Sequence, residues 1–338
     1  MTKKPIILAI ESSCDDTSAA IIKGQKILSN VIANQEIHST YGGVVPELAS
    51  RAHQQNIIPV VDAAIKKANI KKEDISAIAF TKGPGLLGSL LVGSSFAKSF
   101  ALGMNIPLIA VNHMKGHILS HFIDEGNLMP EFPFLCLTVS GGHTQIVRIE
   151  STSNMKIIGT TIDDAAGEAF DKSAKILGLP YPGGPHIDKH AKMGNIHAFE
   201  FGKPKINELD FSFSGLKTSI LYKIQNNLKE NPRFIEENLE DLCASIQHSI
   251  VSILINKLEK AIKLTGIKQL AIAGGVSANS YLRNELKKLA KEKSYQIYIP
   301  KFEYCTDNAA MIAIAGYFKY LDKDFSDQNE TPSARLSF

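Results

Sequence analysis

Two stretches of the chain share one pattern of apolar and polar residues. The first reads PIILAI, ESSCDD, TSAAII between Pro5 and Ile22, and the second reads PFLCLTV, SGGH, TQIVRI between Pro133 and Ile149. In each, a short apolar run leads through small polar residues into a second, Thr-led apolar run, which is typical of a β-hairpin. The repetition predicts two related lobes that each open with a hairpin; a chance likeness of short strands is the alternative.

Helical and extended patterns alternate after each hairpin. Helices are predicted over residues 46–70, 88–104, 163–178, 214–228, 234–265, 280–293 and 308–321, and strands over residues 74–81, 106–112, 268–274 and 295–300. Alternating strands and helices indicate an α/β protein. The polar stretch after the last helix predicts a mobile tail.

Composition excludes some classes of protein but selects none. The chain has 338 residues, which favours two domains or two lobes, and its net charge of +3 gives no indication of nucleic-acid or membrane binding. The most apolar helix candidate, Leu86 to Ala97, is interrupted by Lys98 and is too short to span a membrane. Four isolated cysteines without a CxxC pair argue against a zinc ribbon or a disulfide framework. We therefore expect a soluble cytoplasmic protein.

Three histidines in VNHMKGHILSHF raise the question of a metal site. His113, His117 and His121 lie four residues apart, so on a helix they would share one face. Two imidazoles one helical turn apart can bind one metal ion, although such pairs are often only solvated. Zinc proteases of the H-E-x-x-H type need a glutamate where this chain has Met114, so their general base is missing. A third ligand must come from elsewhere, and Asp307 in EYCTDNAAM is a candidate.

Glycine pairs mark three further positions. Gly141–Gly142 lie at the predicted tip of the second hairpin, Gly274–Gly275 precede Asn279, and the pair in YPGGPHID precedes Asp188. Exposed backbone N–H groups can hold an anion, whereas a tight turn that needs positive φ would also select glycine. Three such turns beside amide or carboxylate side chains favour a nucleotide-sized ligand.

Two other motifs are incomplete. The glycines of KGPGLLG, residues 82–88, match a dinucleotide-binding pattern, but no acidic residue follows between Ile75 and Ile123 to bind a ribose, so NAD binding is rejected. Ser214 and Lys217 have the spacing of a β-lactamase acylating pair without its partner motifs, and a serine helix cap is the favoured interpretation.

The motifs taken together resemble one family. ESSCDDTSAAI, YGGVVPELASRAH, TKGPGLLGSLLVG, HMKGH, VSGGHTQ, DDAAGEAFDKSAKILGLPYPGGP, DFSFSGLKTS, GGVSAN and CTDNAAMIA look like the bacterial TsaD family of tRNA N6-adenosine threonylcarbamoyltransferases, once called O-sialoglycoprotein endopeptidases. The resemblance implies two ribonuclease-H-like lobes of the actin, sugar kinase and Hsp70 (ASKHA) type. We expect lobe I at residues 1–112 and 303–323, lobe II at residues 113–302, and the tail at residues 324–338.

The resemblance also implies which residues form the site. His113, His117 and Asp307 would bind one divalent metal ion, Fe2+ or Zn2+. The substrate-binding residues that it implies are Thr138, Val139, Ser140, Gly141, Gly142, Asp171, Gly184, Asp188 and Asn279. No covalent nucleophile is expected, and His121 has no role that the resemblance supplies.

The implied reaction transfers a threonylcarbamoyl group from threonylcarbamoyl-AMP to N6 of the adenosine 3′ to the anticodon in tRNAs that read ANN codons. The implied partners, besides the donor and tRNA, are a TsaB-type paralogous subunit and a TsaE-type ATPase, with no membrane. A metal-dependent protease and an ATP-binding kinase-like enzyme of the same superfamily are the alternative functions. A non-catalytic nucleotide-binding scaffold would lack the histidine pair.

Overall fold

A computed structural model describes residues 4–35, 38, 41–126, 128–202, 204, 206 and 208–338. The chain forms two compact units. Unit 1 comprises Met1–Met129 and Pro300–Phe338, and unit 2 comprises Pro130–Ile299. The two predicted lobes therefore correspond to two separately packed bodies.

Unit 1 contains a five-stranded sheet in the order β3-β2-β1-β4-β5. Its strands are β1 (Ile6–Glu11), β2 (Thr17–Lys23), β3 (Lys26–Ala33), β4 (Ala77–Gly83) and β5 (Leu108–Asn112). Strand β2 runs antiparallel to β1 and β3, whereas β4 is parallel to β1 and to β5. The first predicted hairpin is thus confirmed as β1 and β2.

Unit 2 contains a sheet of the same design in the order β10-β9-β6-β7-β8. Its strands are β6 (Phe134–Val139), β7 (Thr144–Ile149), β8 (Met155–Thr160), β9 (Gln269–Ala273) and β10 (Gln296–Tyr298). Strand β7 runs antiparallel to its neighbours, and β9 is parallel to β6 and β10. Each unit therefore places a three-stranded meander beside two parallel strands, as a ribonuclease-H-like lobe does.

Ten helices occur among the described residues. They are α1 (Pro46–Lys67), α2 (Leu87–Met104), α3 (His113–Leu119), α4 (Ala166–Ile176), α5 (Gly183–Ala191), α6 (Ser214–Glu230), α7 (Phe234–Glu237), α8 (Leu239–Thr265), α9 (Ser280–Lys293) and α10 (Ala309–Leu321). All predicted helices are present, whereas α5 lies where only a glycine-rich loop was expected.

Both faces of the unit 1 sheet are covered, which explains why every residue of β1 is buried. Leu8 and Ile10 join an apolar cluster that includes residues of α1 and α2, whereas Ile7 lies beside Gly316 of α10. Successive side chains of a strand point to opposite faces. Helix α10, the last in the chain, therefore completes the core of the unit in which the chain begins.

The unit boundary differs from the expected position between residues 112 and 113. Helix α3 belongs to unit 1 because it packs against α10, where a Cβ on Gly116 would lie 3.1 Å from Cδ1 of Ile312. A side chain at position 116 would therefore press against α10. The second boundary falls between Ile299 and Pro300 instead of between residues 302 and 303.

Residues 324–338, expected as a mobile tail, make specific contacts within unit 1. The Ser326 N–H donates to the Leu108 carbonyl at 2.8 Å, and the Ser333 N–H donates to the Lys82 carbonyl at 2.8 Å. Near the C-terminus, the Asn112 side-chain amide donates to the Ser337 carbonyl at 3.1 Å. Backbone pairing of this kind ties the segment to the edge of the sheet.

Helix α2 is the one described helix that is long and apolar enough to span a membrane, by length and composition only. The sequence interpretation had excluded a span there because of Lys98. Within the protein, α2 packs against α1 and β4, and residues such as Leu90 and Ala97 are fully buried. One face of α2 therefore packs in the protein, whereas Leu87, Leu91 and Leu102 are exposed.

Candidate metal centre and nucleotide site

The two predicted histidine ligands lie on the short helix α3, directly after β5. The Asn112 side chain caps this helix by accepting a hydrogen bond from the Lys115 N–H at 3.1 Å. His113 is the first residue of the helix, and His117 follows one turn later. Their ring centroids are 4.8 Å apart and the ring planes are nearly perpendicular. Both imidazoles are buried, and one helical turn holds them side by side.

The third predicted ligand, Asp307, comes from the other end of the sequence and meets them. Its Oδ1 atom lies 3.4 Å from Nε2 of His113 and 3.2 Å from Nε2 of His117. Asp307 directly precedes Asn308, whose side chain caps α10 by accepting from the Met311 N–H. The three potential ligand atoms lie within 4.8 Å of one another. Because Asp307 is 30% exposed, the group retains an open side.

A fourth residue, Glu11, belongs to this group and was missed from the sequence. It ends β1, it is fully buried, and its Oε2 lies 3.0 Å from Nδ1 of His113. The Thr81 hydroxyl donates to Oε2 at 2.7 Å, and the Ser13 N–H donates to Oε1 at 2.5 Å. An acidic residue closing an otherwise apolar central strand was the one sequence feature that could have indicated it.

The charges of this cluster are strongly coupled. Burial opposes ionisation of His113, but the carboxylates of Asp307 and Glu11 raise its pKa well above the usual value. Burial likewise opposes ionisation of the two carboxyls, but His113 holds the pKa of Glu11 below its usual value. His113 and His117 together hold the pKa of Asp307 far below its usual value. The cluster therefore favours a positive charge between its carboxylates, either a proton or a metal ion.

The donor set fits a divalent transition metal. Two imidazole nitrogens and one carboxylate oxygen are the ligands that Zn2+ and Fe2+ sites use, and three protein ligands leave coordination positions open. A carboxylate on the second nitrogen of a histidine is also typical of metal centres, and Glu11 supplies it for His113. His117 differs, because its buried Nδ1 has no hydrogen-bond partner among the described groups.

His121 does not continue the face of α3. The helix ends at Leu119, and His121 lies in the 3-10 turn Ser120–Phe122. The i+8 spacing in the sequence therefore does not correspond to a shared helical face. Among the described residues, the cluster that could hold a metal ion contains His113, His117 and Asp307 without His121.

The predicted ligand residues Thr138 to Gly142 lie in unit 2, where β6 turns into β7. Thr138 and Val139 are buried at the end of β6. The Ser140 N–H donates to the His143 carbonyl, and the Ser140 hydroxyl accepts from the His143 N–H, so these two residues close the turn.

Gly141 and Gly142 are not explained by the turn itself. Neither has positive φ, so the alternative that the turn demands left-handed residues is wrong. A Cβ added to either glycine would meet no atom within 4 Å. Nothing in the described protein therefore requires glycine at these positions. A ligand that approaches the backbone N–H groups would explain why both positions are glycine.

Asp171 of α4 lies against the beginning of α5. The Gly183 N–H donates to Oδ1 of Asp171 at 2.8 Å, and a Cβ on Gly183 would overlap the Cβ of Ala174. The interpretation of YPGGPHID as a third glycine turn is wrong, because Gly183 and Gly184 are the first residues of α5. Burial raises the pKa of Asp171, and the N–H groups of both glycines partly offset this shift.

Asp188 and Asn279 meet at the beginning of α9. The Asp188 carboxylate accepts from the Ser280 hydroxyl at 2.8 Å and from the Ser280 N–H at 3.3 Å. Asn279 caps the helix by accepting from the Leu282 N–H, and its amide donates to Oε1 of Gln247 at 2.6 Å. Ser280 and Gln247 are residues of this network that the sequence did not indicate.

Gly274 connects this helix to the end of β6. Its φ is +89°, and a Cβ there would overlap the carbonyl of Val139. The hairpin tip is also joined to α4, because the Gly167 N–H donates to the Ser140 carbonyl at 3.1 Å. The nine predicted substrate-binding residues thus all belong to unit 2, where hydrogen bonds and close contacts link the turns and helices that carry them. The three predicted metal ligands all belong to unit 1.

Comparison with known proteins decides the family. The model of the family TsaD, tRNA N6-adenosine threonylcarbamoyltransferase, matches residues 26–314. The chain belongs to this family. A relative of that name from Christiangramia forsetii is 63% identical over 333 residues, which cover 98% of each chain. Another from Porphyromonas gingivalis is 57% identical over 340 residues, covering 100% of each. The resemblance noted from the motifs is thereby confirmed, and this TsaD-family chain is a transferase.

Solved structures of other families share the fold. A full-length HypF in a phosphate- and nucleotide-bound form aligns with a TM-score of 0.64 at 14% identity, covering 95% of this chain and 47% of that chain. Component A of the (R)-2-hydroxyglutaryl-CoA dehydratase from Acidaminococcus fermentans aligns with a TM-score of 0.52 at 15% identity, covering 95% and 100%. At these identities the likeness establishes the fold alone, and it supports the predicted two-lobed ASKHA-type architecture.

Proposed function

We propose that this chain transfers the threonylcarbamoyl group of threonylcarbamoyl-AMP to N6 of the adenosine 3′ to the anticodon in tRNAs that read ANN codons. Family membership supports the reaction type and tRNA as the acceptor. The observation that carries the mechanism is the convergence of two buried histidines and a distant aspartate in a single cluster. Neither a scaffold protein nor an ATP-using kinase needs such a cluster.

Unit 2 has the chemistry to bind the AMP part of the donor. No described atom lies within 4 Å of the position that a Cβ of Gly141 or Gly142 would take, so a ligand has room beside this backbone, whose N–H groups suit phosphate oxygens. Charge on those oxygens increases as AMP departs, so donors fixed in advance by a rigid hairpin stabilise the transition state. Asp171 and Asp188 retain free lone pairs beyond their bonds to α5 and α9, and ribose or threonine hydroxyls can donate to them.

Unit 1 has the chemistry to hold a divalent metal ion, Fe2+ or Zn2+, through His113, His117 and Asp307. Such an ion would supply Lewis-acid polarisation of a donor oxygen through its open coordination positions. The role of the protein is to present the ligands. Asn112 caps the helix that bears both histidines, Asn308 caps α10 directly after Asp307, and Glu11 braces His113.

The chemistry needs this activation because the exocyclic amine of adenine is a weak nucleophile. Its lone pair is delocalised into the ring, so the carbonyl must be made more electrophilic and the leaving group must be stabilised. The family reaction requires no acyl-enzyme, and Ser214 with Lys217 does not form an acylating pair. Nζ of Lys217 lies 3.8 Å from Oδ2 of Asp164 instead. The N-cap of α6 is Phe213, whose N–H donates to Oδ1 of Asp163, so the interpretation of Ser214 as a helix cap is wrong.

The proposal includes partners and a location that follow from the family resemblance. A TsaB-type paralogous subunit and a TsaE-type ATPase would assist the chain, and a separate synthase would supply the adenylate. The compartment would be the cytoplasm, where tRNA and the adenylate are available.

A reconstituted assay tests the proposal. The purified chain is incubated with unmodified tRNA and threonylcarbamoyl-AMP, with and without the two helper proteins, and the modified nucleoside is quantified. We expect transfer by the parent chain, and its loss together with the bound metal in His113→Ala. His121→Ala, a histidine outside the cluster, serves as the control and should retain both metal and activity. Full activity in a metal-free His113→Ala protein contradicts the proposed mechanism.

A further inference from the structure

The contacts of Glu11 are unusual for a residue at the end of a central strand. All six residues of β1 are buried, and the five other than Glu11 are apolar. An apolar side chain would pack equally well here, so sheet packing does not explain an ionisable residue. A buried carboxylate is costly unless hydrogen bonds and a charge partner compensate it. Glu11 has both, because Thr81 and Ser13 donate to its two oxygens and His113 lies 3.0 Å away.

These contacts determine which nitrogen of His113 carries a proton. A carboxylate only accepts hydrogen bonds, so Nδ1 of His113 must donate towards Glu11. The Ser13 hydroxyl, 3.1 Å from the same nitrogen, can accept part of this bond. In the neutral ring the lone pair is then on Nε2, which is the atom that points to Asp307. Rotation of the ring would break this bond, so the orientation is fixed as well.

His117 provides an internal contrast. Its Nε2 also points to Asp307, but its Nδ1 has no hydrogen-bond partner among the described groups. The two histidines are therefore not equivalent: a carboxylate orients the Nδ1 side of His113, and no described group does so for His117.

We propose that Glu11 is a positioning residue, which fixes the tautomer and ring orientation of His113 and so raises the affinity of the cluster for a divalent metal ion. This inference rests on the proposed metal centre. It assigns a function to the ESSCDD segment, whose glutamate is 102 residues from His113 in sequence. Carboxylates that orient a metal-binding histidine in this way contribute on the order of 10- to 100-fold in metal affinity.

The test measures the affinity for Zn2+ by competition with a chromophoric chelator. In Glu11→Gln, which keeps the size and an acceptor but loses the charge, we expect Zn2+ binding to be weaker by about 10-fold or more. Thr17→Val is the matched control, because it removes the hydroxyl that lies 2.7 Å from Nδ1 of another buried histidine, His53, in the same unit. The control should bind Zn2+ as tightly as the parent chain.

Thermal unfolding of the metal-free proteins separates positioning from folding. A merely structural Glu11 would lower the unfolding midpoint in Glu11→Gln but leave the Zn2+ affinity of the folded fraction unchanged, and that result overturns the proposal. If Glu11→Gln does not fold, the Zn2+ affinity of Thr81→Val is measured instead, because this variant removes one hydrogen bond to Glu11 but keeps the carboxylate. A smaller loss of affinity in the same direction supports positioning, and an unchanged affinity overturns it.

The failure of the metal centre itself gives a different result. A parent chain that binds no Zn2+ above the level of His117→Ala overturns both the metal centre and the role of Glu11. A parent chain that binds Zn2+ tightly, alongside a folded Glu11→Gln protein that binds it equally tightly, overturns only the inference about Glu11.

Discussion

The two units have the same strand order but carry different chemical groups. In unit 1, residues at the ends of β1 and β5 and before α10 are histidines and carboxylates, and they converge on one another. In unit 2, the corresponding turns after β6 and β9 carry glycines, and backbone N–H groups take the place of charged side chains. One strand order thus supports a candidate metal centre in one unit and a candidate nucleotide site in the other. The difference shows that function resides in the residues at the strand ends and not in the fold.

The largest effect is expected from removing the carboxylate that completes the cluster of unit 1. Asp307→Ala should lower tRNA modification at least 100-fold and abolish bound metal, since removal of one of three protein ligands leaves only the two histidines. Asp322→Ala, at the other end of α10, is the control and should change neither. Metal content by mass spectrometry and a single-turnover transfer assay measure the two effects. A metal-loaded, active Asp307→Ala protein would contradict the assignment of a metal centre to unit 1, and with it the contrast between the units.

The second effect concerns the stability of unit 2. Gly274→Ala should lower the free energy of unfolding by about 2–4 kcal/mol, because the new Cβ overlaps the carbonyl of Val139 and φ is +89°. Gly275→Ala is the matched control, since a Cβ there meets nothing within 4 Å. Denaturant unfolding of both variants measures the difference. Equal free energies of unfolding for the two variants would mean that the end of β6 can move away from the new Cβ.

The third effect concerns a glycine that the fold does not need. Gly141→Ala should leave the free energy of unfolding within about 0.5 kcal/mol of the parent, because φ is not positive and the space around it is open. The KM for the adenylate donor should nevertheless rise, because the added methyl group obstructs the approach of phosphate to the backbone N–H groups. Loss of one such hydrogen bond corresponds to roughly 10-fold. Gly103→Ala in α2 of unit 1, also in open space, serves as the control. An unchanged KM would exclude the hairpin tip from donor binding.

The smallest effect is a pH dependence in unit 1. Burial, followed by the charges of Asp15 and Asp307, raises the pKa of Asp16 to about 7. A carboxyl whose pKa rises on folding stabilises the protein fully below its unfolded pKa of about 4, and this contribution is lost as the pH rises through about 7.

Asp16→Asn should therefore be more stable than the metal-free parent at pH 8 by about 1–2 kcal/mol, after allowance for partial exposure. The difference should vanish near pH 4. Unfolding midpoints across this pH range, measured in the presence of a chelator, test it. A constant difference at all pH values would show that Asp16 does not titrate on folding.

Much of the fold was predictable because it depends on local patterns. The hairpins β1–β2 and β6–β7 and nearly all helices followed from apolar periodicity and short polar turns. Helix α5 was not predicted, because Gly183, Gly184 and Pro185 suggest a loop by composition. Its first residues form a helix since Asp171 accepts the Gly183 N–H and α4 packs closely against it. Residues 324–338 were expected to be mobile because they are polar. Their backbone partners, such as Leu108 and Lys82, are far away in sequence, so no local pattern indicates this pairing.

The sequence by itself determined the family, the alternation of strands and helices, and the identity of the histidines and glycines that carry chemistry, because these are encoded in short motifs. The family resemblance already indicated Asp307 as the third ligand and gave His121 no role. Only the tertiary structure brings Asp307 to His113 and His117, leaves His121 outside the cluster and places Glu11 behind His113. The physical reason is that the parallel strands β1, β4 and β5 and the packing of α10 bring together residues over 100 positions apart. Such long-range contacts leave no local pattern in a single chain.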